Sequence, residues 1–283
     1  VPGQPRIIVQ NMPGAGSLVA ANRVYQMQPG DGLTIVTFNF GMVSQALIKS
    51  PTVTFDPLKY TWLVDPAIGG LPQVLWVRSD LPIHSLEDLK ARKEPLSVGA
   101  TGVGTSAGVA SEFLRYVGLP IKIVYGYRGS AATMAALERK ETDGRMLTQS
   151  TMQTIYRRFI DEGIVRPILS VGNDPRVKLL PGVATLKDLN LTSEQRKMSD
   201  LLMDTWRLLR LYALPPGTPP ERVRVLRQAF ANALKSPKLQ KDAEKQGVII
   251  SPIYGEEIER IVEKLFKTPP QILERYKKLA GSK

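Results

Sequence analysis

Leu96-Ser-Val-Gly-Ala-Thr-Gly-Val-Gly-Thr-Ser-Ala-Gly-Val-Ala-Ser-Glu-Phe-Leu-Arg-Tyr-Val117 reads as an apolar strand, a glycine loop and an amphipathic helix in direct succession. The strand covers 96–100, the loop is Gly99 to Ser106, and Val109, Phe113 and Val117 share one helical face. Asn11-Met-Pro-Gly-Ala-Gly-Ser17 repeats the arrangement, between an apolar run at 6–10 and a stripe of Leu18, Ala21 and Tyr25. Glycine lets such a turn approach a ligand closely or take positive φ, and the first N–H groups of the helix that follows have no intrahelical partner. Each loop is thereby a candidate anion site, and the pair is expected to form two halves of one clamp.

Outward from these loops, short apolar runs at 33–38, 74–77, 121–125, 167–171 and 208–214 alternate with helical patterns. The alternation predicts an α/β fold with largely parallel sheets. Val223, Leu226, Phe230 and Leu234 form another packing stripe. Ser85 with Asp88 predicts a helix start, as does Pro219-Pro220, and Gly247 predicts a helix stop. No repeat and no Gly/Ser spacer divides the chain, so two closely joined lobes are expected.

With 283 residues, 43% of them hydrophobic, the chain can fill the cores of two ordinary domains. No run of roughly 18 apolar residues predicts a membrane span, and no charged-then-apolar leader opens the given sequence. The absence of cysteine excludes disulfides, thiolate metal sites and cysteine nucleophiles. A net charge of +12, from 38 Lys and Arg against 26 Asp and Glu, favours anionic partners. The basic residues are spread through amphipathic stretches such as 257–267 and form no nucleic-acid motif, so most of this charge is read as solvated surface.

Catalysis finds little support. The single histidine, His84, precedes a predicted helix, where a surface or capping role fits better than a triad. No His, Cys or Asp spacing suits a metal, and Glu256 and Glu257 read as solvated charge. Gly102-Val-Gly-Thr-Ser-Ala107 satisfies the dinucleotide pattern G-x-G-x-x-A. The strand that follows supplies no acidic residue for a ribose, although Arg128 is placed to meet a 2′-phosphate. What remains is recognition by backbone N–H groups and small hydroxyls, which suits a carboxylate. About four charge-assisted hydrogen bonds of roughly 2 kcal/mol each reach the ~8 kcal/mol of a micromolar complex, before association costs.

Asn11-x-Pro-Gly-Ala-Gly, Pro29-Gly-Asp-Gly-Leu, Gly102-x-Gly-Thr-Ser, Tyr127-Arg-Gly, Thr142-Asp143, Leu180-Pro-Gly-Val-Ala-Thr185 and Pro216-Gly-Thr-Pro219 follow one another in the order found in the solute receptors of tripartite tricarboxylate transporters, the Bug family. The chain resembles that family over essentially its whole length. The resemblance implies a two-lobed periplasmic binding-protein fold (type II) with two crossover strands, placed near Gly99 and Ala213. Lobe I would then comprise 1–99 and 214–283, and lobe II 100–213.

It further implies a monomeric extracytoplasmic or periplasmic receptor, with no cofactor, metal or catalytic residue, that holds a small organic carboxylate in an interlobe cleft and hands it to membrane transporter subunits. Nucleic acid is not an implied partner. On the family's pattern Asn11, Gly14, Ala15, Gly16 and Ser17 form the first anion loop, and Thr101, Gly104, Thr105 and Ser106 the second. Asn39 and Gly70 line the first lobe's mouth, and Tyr127, Gly129 and Asp143 complete the second lobe. Plainer roles stand beside these: Tyr127 as core, Asp143 as a cap or a partner of Arg145, and Asn11 as a turn brace. Arg207 and Arg210 are carboxylate clamps or snorkelling surface residues.

Two departures from the pattern are visible. Ala107-Gly108 stands where the family usually has histidine, and the family's first strand and helix would precede Val1, so the sequence is expected to lack an N-terminal segment. The alternative functions are an NADP-dependent oxidoreductase built on Gly102 to Ala107 and a ligand-sensing module.

Overall fold

The computed structural model describes residues 3, 5–12, 17–27, 29–39, 41–67, 72–102, 105–172, 177–246 and 248–280. The elements begin α1 (Leu18–Met27), β1 (Val36–Asn39), α2 (Gly41–Leu47), β2 (Thr61–Ala67), β3 (Gln73–Arg78), α3 (Leu86–Lys90) and β4 (Leu96–Gly99). They continue α4 (Ser106–Tyr116), β5 (Ile121–Val124), α5 (Ser130–Glu138), β6 (Gly144–Thr148), α6 (Gln149–Thr154), α7 (Arg157–Asp161), β7 (Val165–Val171) and β8 (Ala184–Thr185). The last are α8 (Ser193–Arg207), β9 (Arg210–Leu214), α9 (Pro220–Leu234), α10 (Pro237–Lys245), β10 (Ile250–Tyr254), α11 (Gly255–Phe266) and α12 (Pro270–Leu279). Ser85 caps α3 in a complete capping box with Asp88, and Pro220 opens α9, both as the sequence predicts. Gly247 lies outside the described residues.

Two compact units result, Val1–Gly69 with Asp204–Pro269, and Gly70–Met203 with Pro270–Lys283. These divisions differ from the expected ones at Gly99 and Ala213. The strands β3 and β4 hydrogen-bond into the same sheet as β6, which places them in the second unit. The final helix also joins the second unit, where Arg275 donates to Glu194 at 3.0 Å and stacks 5.6 Å above the Tyr116 ring.

The first unit holds a four-stranded sheet in the order β1-β9-β2-β10, and every pair in it is antiparallel. The expectation of largely parallel sheets fails here, because buried apolar runs look alike whichever way their neighbours run. Tyr25, Phe38, Phe55, Tyr60 and Trp62 pack as an aromatic cluster with ring centroids 5.5–6.4 Å apart. Each such pair adds about 0.5–1.5 kcal/mol beyond the area it buries. The apolar run at 6–10 forms no strand, and Ile7 and Val9 are each 81% exposed. A strand needs a ladder partner for its N–H and C=O groups, and the run has none among the described residues.

The second unit holds a six-stranded mixed sheet, β5-β4-β6-β3-β7-β8. β4 runs parallel to β5 and to β6, β7 parallel to β8, and β3 antiparallel to both of its neighbours. Val74 and Trp76 of β3 meet Met134 and Leu137 of α5, with Leu147, Met152, Phe159 and Val165, in one buried cluster. The carboxyl ends of β4, β5, β6 and β7 consequently emerge along one edge, beside the start of β3. The connections leaving β4 and β6 diverge, since β5 lies on one side of the β4–β6 pair and β7 on the other. Such a switch point opens a crevice at the carboxyl ends of open α/β sheets.

Candidate functional site

At the end of β4 the chain turns through Ala100 and Thr101, and Ala100 N donates to Val124 O at 2.9 Å. Thr105 is the N-cap of α4: its Oγ1 accepts from Gly108 N at 3.2 Å and donates to Gly102 O at 2.7 Å. The Thr101 hydroxyl reaches Thr105 Oγ1 at 3.4 Å. Thr105 thus closes its own loop and fills one of the orphan donors. The N–H groups of Ser106 and Ala107 remain at the helix mouth, with the half-buried Ser106 hydroxyl beside them.

The loop after β5 carries Tyr127, half-buried, and Gly129. A Cβ on Gly99 would lie 3.4 Å from the Tyr127 ring and 3.5 Å from Thr142 Oγ1, so glycine there admits the ring against the end of β4. Gly129 is the N-cap of α5 in extended backbone and offers no side-chain cap. The first helical bond is Thr133 N to Gly129 O at 3.2 Å, which leaves the N–H groups of Ser130, Ala131 and Ala132 available. Beneath this turn Arg145 is 2% exposed, and burial lowers the pKa of its guanidinium to about 10, still a full charge at neutral pH.

The loop after β6 adds a hydroxyl chain. Thr148 caps α6 through Thr151 N at 3.2 Å and donates to Thr151 Oγ1 at 2.6 Å, with Ser150 3.4 Å from it. Among the described residues of this unit, Thr142 Oγ1, Gln149 Oε1 and Ser170 Oγ are buried without a hydrogen-bond partner. Orphans of this kind are rare in protein interiors. Thr142 belongs to a family motif, whereas Thr148, Gln149 and Ser170 belong to none and escape a motif reading. A polar residue closing an apolar strand run is the signal that finds them.

Asp143 has a defined structural task. Its Oδ2 accepts from Ser97 N at 3.0 Å and Ser97 Oγ at 2.9 Å, while Arg78 approaches Oδ1 at 3.9 Å. It braces β4 against β6 and does not pair with Arg145. Arg207 is matched by Glu257 at 2.8 Å, and Arg210 is exposed. Of the first-loop residues, Asn11 is exposed and Ser17 holds φ +89°, a left-handed backbone costing a non-glycine residue about 1–3 kcal/mol. Asn39 ends β1 in register with Arg210. Gly14, Ala15, Gly16, Gly70 and Gly104 lie outside the described residues.

The opposite edge of the second sheet looks different. A groove of about 210 Å³ there is lined by Arg78, Asp80, Glu138 and Lys140. Its charges are matched internally, with Asp80 2.8 Å from Lys140 and 2.9 Å from Arg78, which lower its carboxyl to about 2. His84 is exposed, donates its backbone N–H to Asp88 at 2.8 Å and touches Arg166 with its ring. Among the described residues no group of His, Cys, Asp and Glu is placed to hold a metal, and no helix is long and apolar enough to cross a membrane.

Residues 2–275 match the tripartite tricarboxylate transporter family receptor. The chain belongs to this receptor family. A UPF0065 protein of Bordetella pertussis is 30% identical over 253 residues, covering 87% of this chain and 72% of that protein. A TctC solute-binding protein from Polaromonas, solved without ligand, superposes with a TM-score of 0.73 over 98% of this chain and 87% of its own, at 19% identity. R. palustris Rpa4515 with adipate follows at a TM-score of 0.62 and 21% identity, covering 97% of this chain and 86% of that one. The receptor-family membership and the two-lobed α/β class agree with the resemblance drawn from the motifs.

Proposed function

We propose that this protein is a periplasmic receptor that captures a small organic carboxylate and delivers it to a tripartite tricarboxylate-type transporter, without turning it over. The supporting observation is the carboxyl edge of the second sheet in a chain of this family. Two helices, α4 and α5, direct free backbone N–H groups to that edge amid the hydroxyls of Thr101, Ser106, Thr148 and Ser150. Such donors stabilise a carboxylate by charge-assisted hydrogen bonds and by the positive ends of the helix dipoles. The only histidine stands at the other edge of the sheet, where its backbone N–H donates to Asp88 and its ring touches Arg166, which supports binding over catalysis by a histidine-based triad. In this reading Thr101, Gly104, Thr105, Ser106, Tyr127 and Gly129 surround the ligand. Asn11, Gly14, Ala15, Gly16, Ser17, Asn39 and Gly70 contribute further contacts, and Asp143 acts by bracing β4 against β6.

Calorimetric titration with aliphatic and aromatic mono-, di- and tricarboxylates, run beside NADP, tests the proposal. Binding of a carboxylate with Kd on the order of micromolar, with no heat from NADP, is expected. Binding of NADP without any carboxylate response overturns it.

A further inference from the structure

Arg145 carries a buried positive charge that meets no carboxylate among the described residues. Its Nε donates to Met146 O at 3.3 Å, Nη1 to Ser130 O at 2.8 Å and Nη2 to Ser130 Oγ at 3.2 Å. Among the described residues none of these partners is a carboxylate. Of the half-buried arginines, Arg78 meets Asp80, Arg207 meets Glu257 and Arg227 meets Glu259, while Arg92 and Arg166 bond carbonyl groups with water still in reach; among the described residues Arg145 alone is fully buried. A buried ion is strongly disfavoured unless it is paired, and two carbonyls and a hydroxyl are within the reach of a neutral donor. Tying α5 to β6 therefore does not account for the charge. Three of the five guanidinium N–H groups are used, all toward Ser130 and Met146.

The position of the charge supplies the missing reason. Ser130 is the first residue of α5, directly after Gly129, and the N–H groups of its first turn are not capped by a side chain. A cation beneath that turn acts in the same sense as the helix dipole and adds positive potential at the Tyr127-to-Ser130 segment. We infer that Arg145 sets the charge class of the ligand: it is the fixed cation against which a second ionised group of a dicarboxylate is read, through Ser130 and the start of α5. This rests on the carboxylate-receptor reading. Arg145 is a positioning residue, since it acts through Ser130 and does not touch the ligand.

The test compares the best-bound dicarboxylate of the panel with its own monoamide, an analogue of nearly equal shape and one charge fewer. Wild-type protein is expected to prefer the dicarboxylate by more than about 10-fold, and Arg145→Met to lose about 30-fold affinity for it while binding the monoamide within about 3-fold of wild type. Arg145→Lys retains the charge and is expected to restore most of the preference. If the methionine variant does not fold, as its thermal midpoint would show, Arg145→Gln takes its place. Equal losses for both ligands, or a lysine variant no better than the neutral one, would make Arg145 a structural brace only and overturn the inference. A wild-type protein that prefers a monocarboxylate overturns the inference and leaves the receptor reading standing, whereas one that binds no carboxylate overturns both.

Discussion

The four-stranded sheet of the first unit and the six-stranded sheet of the second are built from strands of similar length and apolar content, yet they present their ends differently. In the first, every neighbour runs antiparallel, so strand beginnings and strand ends alternate along each edge. In the second, β5, β4 and β6 run parallel, and the helices that follow them all start at the same edge. Parallel pairing gathers helix N-termini, and with them unbonded N–H groups and like-signed dipole ends, where antiparallel pairing disperses them. The anion-binding role proposed for the second unit thus rests on strand direction more than on any single side chain. The first unit invests in an aromatic core instead, with Trp62 1% exposed at its centre.

The largest effects are expected from the two cores. Trp62→Ala in the first unit and Trp76→Ala in the second, both only 1% exposed, are each expected to cost about 3–5 kcal/mol in denaturant unfolding. Hydrogen exchange locates the damage, which is expected in β1, β2 and β9 for the first variant and in β3, β6 and β7 for the second. A variant that loosened both sheets equally would break the description of two separate cores.

Next come two glycines at which a Cβ has no room. At Gly255 it would strike Trp62 O and the Arg227 guanidinium, and at Gly144 it would lie 2.6 Å from Trp76 O. Gly255→Ala and Gly144→Ala are each expected to lower stability by about 1–3 kcal/mol. Carboxylate affinity is expected to fall only for the second, because Gly144 lies in β6 between Asp143 and Arg145. Weakened binding in Gly255→Ala with unchanged binding in Gly144→Ala would contradict the placement of the site.

The smallest effects separate contact from support within the second unit. Ser106→Ala is expected to weaken carboxylate binding by roughly 1–2 kcal/mol with little change in thermal midpoint. Asp143→Asn is expected to do the reverse, lowering stability by about 1 kcal/mol through the Ser97 contacts while leaving affinity within about threefold. Affinity unchanged in Ser106→Ala removes that hydroxyl from the site, and a roughly tenfold loss in Asp143→Asn restores Asp143 as a ligand contact.

Several parts of this arrangement are legible in the sequence. The β4–loop–α4 succession, the Ser85 cap and the Pro220 helix start are local, because a glycine turn or a capping side chain acts on backbone groups within about four residues of itself. The order of the motifs is likewise sufficient for the family. The strands β2, β6 and β10 are not legible in this way. β6 contains an arginine, and β2 and β10 each contain a proline, which breaks the apolar pattern on which a strand reading depends. The run at 6–10 has that pattern and remains outside both sheets, since pattern cannot supply a neighbour.

Turns, caps, helix stripes and the receptor family follow from the amino-acid sequence alone, all of them short-range or order-dependent properties. Tertiary structure decided which strands run parallel, and so where helix N-termini converge. It also decided that Asp143 answers Ser97, 46 residues away, and that Arg145 is buried without a counter-charge among the described residues. Those outcomes depend on which residues the folded chain brings within a few ångströms of one another and away from water, and distance along the chain carries no record of that.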